Sequence, residues 1–212
     1  MTNNFDVIYN YMKDQGIPYV YDSNCDLYFD IQLIRRGKDH PGLPAANYTF
    51  KAYYIDCLYN FNKYKDEIIK CCDMFGLRAY VAVNVKSKNE ACLKTIQKYA
   101  HNLTNGESRK PWRVFASVCG GQEGEEKRWV IDCDDCENLE EYLQNIILSI
   151  HQCESSYDDP IIIIIPTRSG YHIITHPFNR NRFKKICDAK SIIPPAIMQN
   201  HITLLYENIQ KL

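Results

Sequence analysis

No stretch of this sequence is long and apolar enough to cross a bilayer. The longest uncharged apolar run, Ile161 to Ile165 with its flanks, falls far short of the roughly 20 residues that a spanning helix needs. The basic excess that marks a non-specific nucleic-acid binder is also missing: 25 Lys and Arg stand against 26 Asp and Glu, for a net charge of −1. Met1 to Asp6 carry neither a basic n-region nor an apolar h-region, so no secretory signal is expected, and the expected location is cytoplasmic with no membrane partner. Walker loop, zincin helix and nucleophile elbow do not occur. Ten cysteines are present, but a chain of this size, with an apolar core and no export signal, needs no disulfide framework. Cys57, Cys71, Cys72 and Cys92 fall in apolar periodic segments, where a free thiol behaves as a small hydrophobe. Only Cys133-x-x-Cys136 has ligand spacing, and the second pair that a zinc site would need is lacking.

What is present is ordinary globular composition, 212 residues with 45% hydrophobic and 24% charged, enough for one domain with an added lobe. Phe5, Ile8, Tyr9 and Met12 recur at helical spacing before Gly16-Ile17-Pro18 stops them. Leu27 to Ile34 and Tyr48 to Tyr54 read as a hairpin joined by a basic loop. Tyr64, Ile68, Cys71, Cys72 and Phe75 share a helical face, with Gly76 at the C-cap. A strand over Ala79 to Val85 follows, and Ser87-Lys88-Asn89-Glu90 is a capping box opening a helix with Leu93, Ile96 and Ala100 inward. The polar segment around Asn105-Gly106 divides an N-terminal α/β lobe, 1–110, from a core, 111–212.

The order of elements in that core is informative. Strand Lys127 to Asp134, helix from Asn138, strand Ile161 to Ile165, strand Tyr171 to Thr175, helix from Asn179 and strand Ile202 to Tyr206 make βαββαβ. That is the split-βαβ, RRM-like or ferredoxin-like arrangement, so the fold class is α+β. Right-handed crossovers make the first and third strands antiparallel neighbours. Asp132 and Asp134 at the end of one then meet His172 at the start of the other. Alternation turns these three to an uncovered face, with Ile131 and Cys133 toward the helices. Paired carboxylates suit Mg²⁺, which prefers oxygen and bridges to substrate phosphates. Ser169, Gly170 and His172 are placed to meet a nucleotide's phosphates, with Arg168 beside them in the turn.

Trp129-Val130-Ile131-Asp132-Cys133-Asp134 resembles the hydrophobic Asp-x-Asp motif of the archaeo-eukaryotic primase (primase-polymerase) superfamily. Ser169-Gly170-Tyr171-His172 resembles its small-residue-x-His motif. The resemblance covers about Lys127 to Tyr206 and implies nucleotidyl transfer from nucleoside triphosphates, on single-stranded or primed nucleic acid. It implies Mg²⁺ or Mn²⁺ on Asp132 and Asp134, with His172 contacting the triphosphate. The family's third acid is expected near the start of the last strand, where this chain reads Ala196-Ile197-Met198-Gln199-Asn200-His201-Ile202. Asp188 is the nearest upstream acid. The alternatives are a catalytically degenerate nucleotide or nucleic-acid binder, and an interaction protein on a ferredoxin-like core. Arg35, Arg36 and Lys38, and separately Arg180, Arg182, Lys184 and Lys185, are basic clusters suited to phosphates, or to a solvated face.

Overall fold

The computed structural model of the chain describes residues 1–40, 42, 46–107, 109–124, 126–134 and 138–208. The class is mixed α and β, with two sheets among the described residues. The larger is built from β1 (Thr2–Asn3), β2 (Leu27–Arg35), β3 (Tyr48–Ile55), β4 (Arg78–Ala82), the short β5 (Lys86–Ser87) and β10 (Ile202–Glu207). Its order is β1-β10-β4-β2-β3, with β5 paired to β2. The smaller sheet, β6 (Trp129–Asp134), β7 (Ile161–Pro166), β8 (Gly170–Thr175) and β9 (Ala196–Gln199), has the order β7-β8-β6-β9, and every pairing in it is antiparallel.

Local chemistry accounts for several helix features. α1 (Phe5–Asp14) buries Phe5, Ile8, Tyr11 and Met12, the expected stripe. α2 (Leu58–Phe75) ends on Gly76 in the left-handed region, φ +60°; a Cβ there would stand 2.8 Å from the His40 ring. At the start of α3 (Lys88–Thr104) the Ser87 hydroxyl accepts from the Glu90 amide at 3.0 Å. The apolar stripe of α3 corrects the expectation: Leu93 and Ile96 are 60% and 65% exposed, and Ala100 and Cys92 are exposed too. The inward face holds Ala91 and Asn102, and it packs on α4 (Pro111–Gly121), a helix that the sequence pattern did not announce.

The smaller sheet covers one face with α5 (Leu139–His151) and α6 (Arg180–Ala189). Ile131, Cys133 and Ile173 meet Leu143, Ile146, Phe183 and Cys187 in one apolar cluster. Its other face is not uncovered as expected. Val130, Ile165 and Ile174 are wholly buried there, in the core that also takes Phe5, Phe29, Ile31 and Leu205 from the larger sheet and its helices. Burial of this kind contributes about 25 cal/mol for each Å² of apolar surface removed from water, which holds the two sheets together.

The fourth strand of the smaller sheet is also corrected. Ile202 to Tyr206 does not flank β6; it lies between β1 and β4, with Thr203 opposite Val81. β9 takes the place beside β6, with Asp132 opposite Ala196. β10 thus joins the larger sheet, and α4 packs on α3.

Candidate functional site

The β6–β8 ladder places Asp132 directly opposite His172 and Asp134 opposite Gly170. Val130 and Ile174 share their face but are sealed in the core, so only the C-terminal end of β6 opens to solvent. There a cleft of about 1310 Å³ runs between the sheets. Asp132, Asp134, Thr167, Arg168, Ser169 and His172 line one wall; Arg36, Lys38, Arg78 and Tyr80 line the other.

His172 is held from both sides. Its Nδ1 lies 2.9 Å from the Thr203 hydroxyl on β10, and its Nε2 lies 3.4 Å from Asp132 Oδ1. The second distance is longer than a well-formed hydrogen bond. Asp132 Oδ1 is buried and has no hydrogen-bond partner of good geometry. The neighbouring His172 lowers the Asp132 carboxyl below its usual range, outweighing the burial that raises it; His201 and Arg36 add to the lowering. The Asp134 carboxylate accepts from the Thr167 hydroxyl at 3.0 Å, and that hydroxyl in turn accepts from the Gly170 amide at 3.1 Å.

Gly170 has a packing reason to be glycine. A Cβ there would stand 2.0 Å from the Cys133 carbonyl oxygen and 2.8 Å from Asp134 Oδ1. Its amide is engaged by Thr167, so the turn is tied down from within, and Arg168 and Ser169 are its exposed members. Thr167, which no motif in the sequence singles out, holds Asp134 through this bond.

The opposite wall was legible only as a basic loop. Arg36 donates to the Tyr80 hydroxyl at 3.3 Å. Asp39, one turn further on, accepts two bonds of 2.8 Å from Arg78, whose other nitrogen meets Glu207 at 2.9 Å. This buried trio ties the loop that carries Arg36 and Lys38 to β4 and β10. Arg35 does not line the cleft; its guanidinium lies 6.0 Å from the Tyr48 ring.

The third acid has no direct successor. Ala196 stands opposite Asp132 on β9, and Asp188 is on α6, on the helix-covered side. The other acids of the cleft are engaged, Asp39 by Arg78 and Asp73 by the Tyr206 hydroxyl at 2.9 Å. His201 lines the cleft, with Nδ1 3.0 Å from the Ile202 carbonyl. Among the described residues no group of three or more His, Cys, Asp and Glu is arranged to hold a metal ion. Cys133 is buried on the helix side, and Cys136, the other half of the cysteine pair, lies outside the described residues. No described helix is long and apolar enough to cross a membrane.

The donor set that remains, two carboxylates two residues apart, one with an unsatisfied buried oxygen, suits a hard cation that keeps most of its water. Comparisons of the chain with protein-family models, with curated proteins and with solved structures each find no match.

Proposed function

We propose that the cleft binds a nucleoside triphosphate and transfers its nucleotidyl group to a nucleic-acid hydroxyl, in a metal-dependent reaction of the primase-polymerase type. The observation that carries this reading is the pairing of walls: Asp132, Asp134 and His172 on one side face Arg36 and Lys38 on the other, with Arg168 at the rim. Acidic groups for a cation, opposite cationic groups for a polyphosphate, separate the two charges of a metal-nucleotide complex. The strand order β7-β8-β6-β9, with crossovers through α5 and α6, supports an RRM-like unit in which β9 is the fourth strand.

In this reading Asp132 and Asp134 hold Mg²⁺ or Mn²⁺, which when bound lowers the pKa of the attacking hydroxyl and neutralises charge on the phosphates. Thr167 keeps Asp134 turned toward the cleft. His172, braced by Thr203, donates from Nε2 to a phosphate oxygen once substrate displaces its contact with Asp132. Arg36, Lys38 and Arg168 bind the β- and γ-phosphates, so that the leaving pyrophosphate is already paired. Ser169, beside Arg168, and the Gly170 close approach define the rim of that site.

A second reading is binding without turnover, favoured by Ala196 where a third acid is expected. Mn²⁺ titration followed by electron paramagnetic resonance, with and without nucleoside triphosphate, and primer extension on the same preparation, separate the two. Transfer predicts both Mn²⁺ binding and incorporation, each lost in Asp134→Ala. Binding without turnover predicts nucleotide affinity and no extension. Neither signal in any condition refutes both and leaves an interaction protein.

A further inference from the structure

Polar ties join the two sheets toward both ends of β8. At the cleft end Thr203 of β10 meets His172, near the start of the strand. At the other end the partners are Arg128, immediately before β6, and His176, immediately after β8. Arg128 is buried, and its guanidinium reaches the Glu126 carboxylate, Gln15 Oε1 at the end of α1 at 3.0 Å, and His176 Nδ1 at 3.0 Å. Its backbone amide donates to Asn84 Oδ1, two residues beyond β4, at 2.9 Å. Arg128 therefore connects α1 and the larger sheet to the far end of the smaller one.

The contact with His176 needs one protonation state. A guanidinium stays charged and only donates, so Nδ1 must offer its lone pair and the ring proton sits on Nε2. A second proton would set an N–H against an N–H and a cation against a cation. The ring is held in place: its face lies on the Tyr157 ring, with centroids 3.6 Å apart and planes 13° from parallel, and the His176 amide donates to the Pro160 carbonyl at 2.8 Å. The charged groups that bear on the imidazole are Arg128 and Glu126 before β6 and Asp159 before β7. Partial burial and the Arg128 charge push it below its ordinary value of 6.5, outweighing the two carboxylates. From α1, Gln15 is uncharged, and the Tyr11 hydroxyl, which also neighbours Arg128, is pushed up to about 12 by burial and stays neutral.

We propose that Arg128 and His176 form an acid-sensitive latch between the two sheets, closed while His176 is neutral and released when its ring takes up a second proton. The release is local. It frees the end of β8 remote from Asp132 and Asp134, while Val130, Ile165 and Ile174 stay buried between the sheets. Because the folded value lies below the unfolded one, the latch contributes fully above pH 6.5, and its contribution is lost as pH falls through the lower folded value. Carboxylates of ordinary value, about 4, stay charged through most of that window, which leaves it to the histidines. The inference does not rest on the nucleotidyl-transfer reading.

The test is urea unfolding of the full chain from about pH 7.5 to about pH 5, for wild type beside His176→Gln, whose amide oxygen still accepts from Arg128 and does not titrate. The remaining histidines are common to both chains, so the ratio of the two unfolding constants reports His176 alone. Across that range the wild-type constant is expected to rise about threefold or more relative to the variant, and by no more than about tenfold per pH unit, the limit for one proton. The His176 Cε1 proton, identified in nuclear magnetic resonance by its through-space contact with the Tyr157 ring, should titrate below 6.5. Glu126→Gln, at an exposed position, should lower that midpoint further, since the Glu126 carboxylate favours the charged ring. Hydrogen exchange at the Arg128 and His176 amides should be faster in wild type than in His176→Gln near pH 5 and equal near pH 7.5. A ratio of unfolding constants that does not change with pH, or a midpoint at or above 6.5, overturns the latch. Equal amide exchange in the two chains near pH 5 overturns the local release.

Discussion

Gly170→Ala offers the sharpest check on how the site is assembled. The new Cβ would meet the Cys133 carbonyl oxygen at 2.0 Å, whereas Cβ contacts in real structures essentially never fall below 3.0 Å. The first residue of β8 must then retreat from β6 by about 1 Å, and the Asp134 carboxylate, which would stand 2.8 Å from the same methyl, must turn aside. Overpacking of this kind costs about 1–3 kcal/mol. For a chain of this length that is a melting temperature lower by roughly 2–12 °C. The shift falls at the Asp134–Gly170 pair, two residues along the ladder from Asp132 and His172, and within a site a displacement of about 1 Å can cost on the order of 100-fold in rate. Thermal unfolding by circular dichroism, beside Ser169→Ala at the exposed neighbouring position, reads the stability, and Mn²⁺ titration reads the geometry. An alanine variant that melts with wild type and binds Mn²⁺ equally would refute the claim that glycine is required by the close approach of the two strands.

The buried trio of Arg78, Asp39 and Glu207 makes a second expectation. Arg78→Met leaves two buried carboxylates unpaired and should destabilise by about 3–5 kcal/mol in urea unfolding, whereas Lys65→Met, at an exposed ion pair with Asp6, should change stability by less than about 1 kcal/mol. For Asp132 the direction of the pKa shift fixes the sign. Its carboxyl is lowered in the folded chain, so its contribution is fully present above the ordinary value near 3.8 and is lost as pH falls through the lower folded value. Asp132→Asn should therefore flatten the stability profile between pH 4 and the acid limit, and a profile identical to wild type there would remove His172 as its partner. Leu93→Lys and Ile96→Lys, on the outward face of α3, should each shift stability by no more than about 0.5 kcal/mol; a loss of several times that would mean the stripe is buried in solution.

Much of the site was legible because period-2 alternation is local. Ile131 and Cys133 inward, Asp132 and Asp134 outward, and the opposition of Asp132 to His172 all follow from alternation plus one antiparallel pairing. Helix ends with side-chain signals, Gly76 and the Ser87–Glu90 box, read equally well. What failed depended on which surface each element would meet. Ile202 to Tyr206 is a stronger β-former than Ala196 to Gln199, which follows two prolines, so sequence alone seats the wrong strand beside β6. β10 is drawn away because the exposed flank of β4 and the N-terminal β1 both need a partner. Leu93, Ile96 and Ala100 have flawless helical spacing, yet α3 turns Ala91 and Asn102 inward because close packing on α4 favours small side chains. The basic loop of Arg36 and Lys38 could be read, but not its place opposite Asp132: Arg36 lies about a hundred residues away, and no local pattern records a cleft between two sheets.

The seat of β10 between β1 and β4 sets when this chain can fold during synthesis. Until residues 202–207 have left the ribosome, β1 has no partner and β4 shows an unpaired flank, the kind of template on which chains aggregate. The ladder that removes that hazard joins Thr2 to Glu207, almost the full described length apart. Non-local pairings of this kind slow folding, because loop closure precedes any gain from contact. Thr203, the residue that braces His172, arrives with the same strand, so the open end of the smaller sheet is completed in the closing step of folding, and no fragment ending before residue 202 carries a finished cleft.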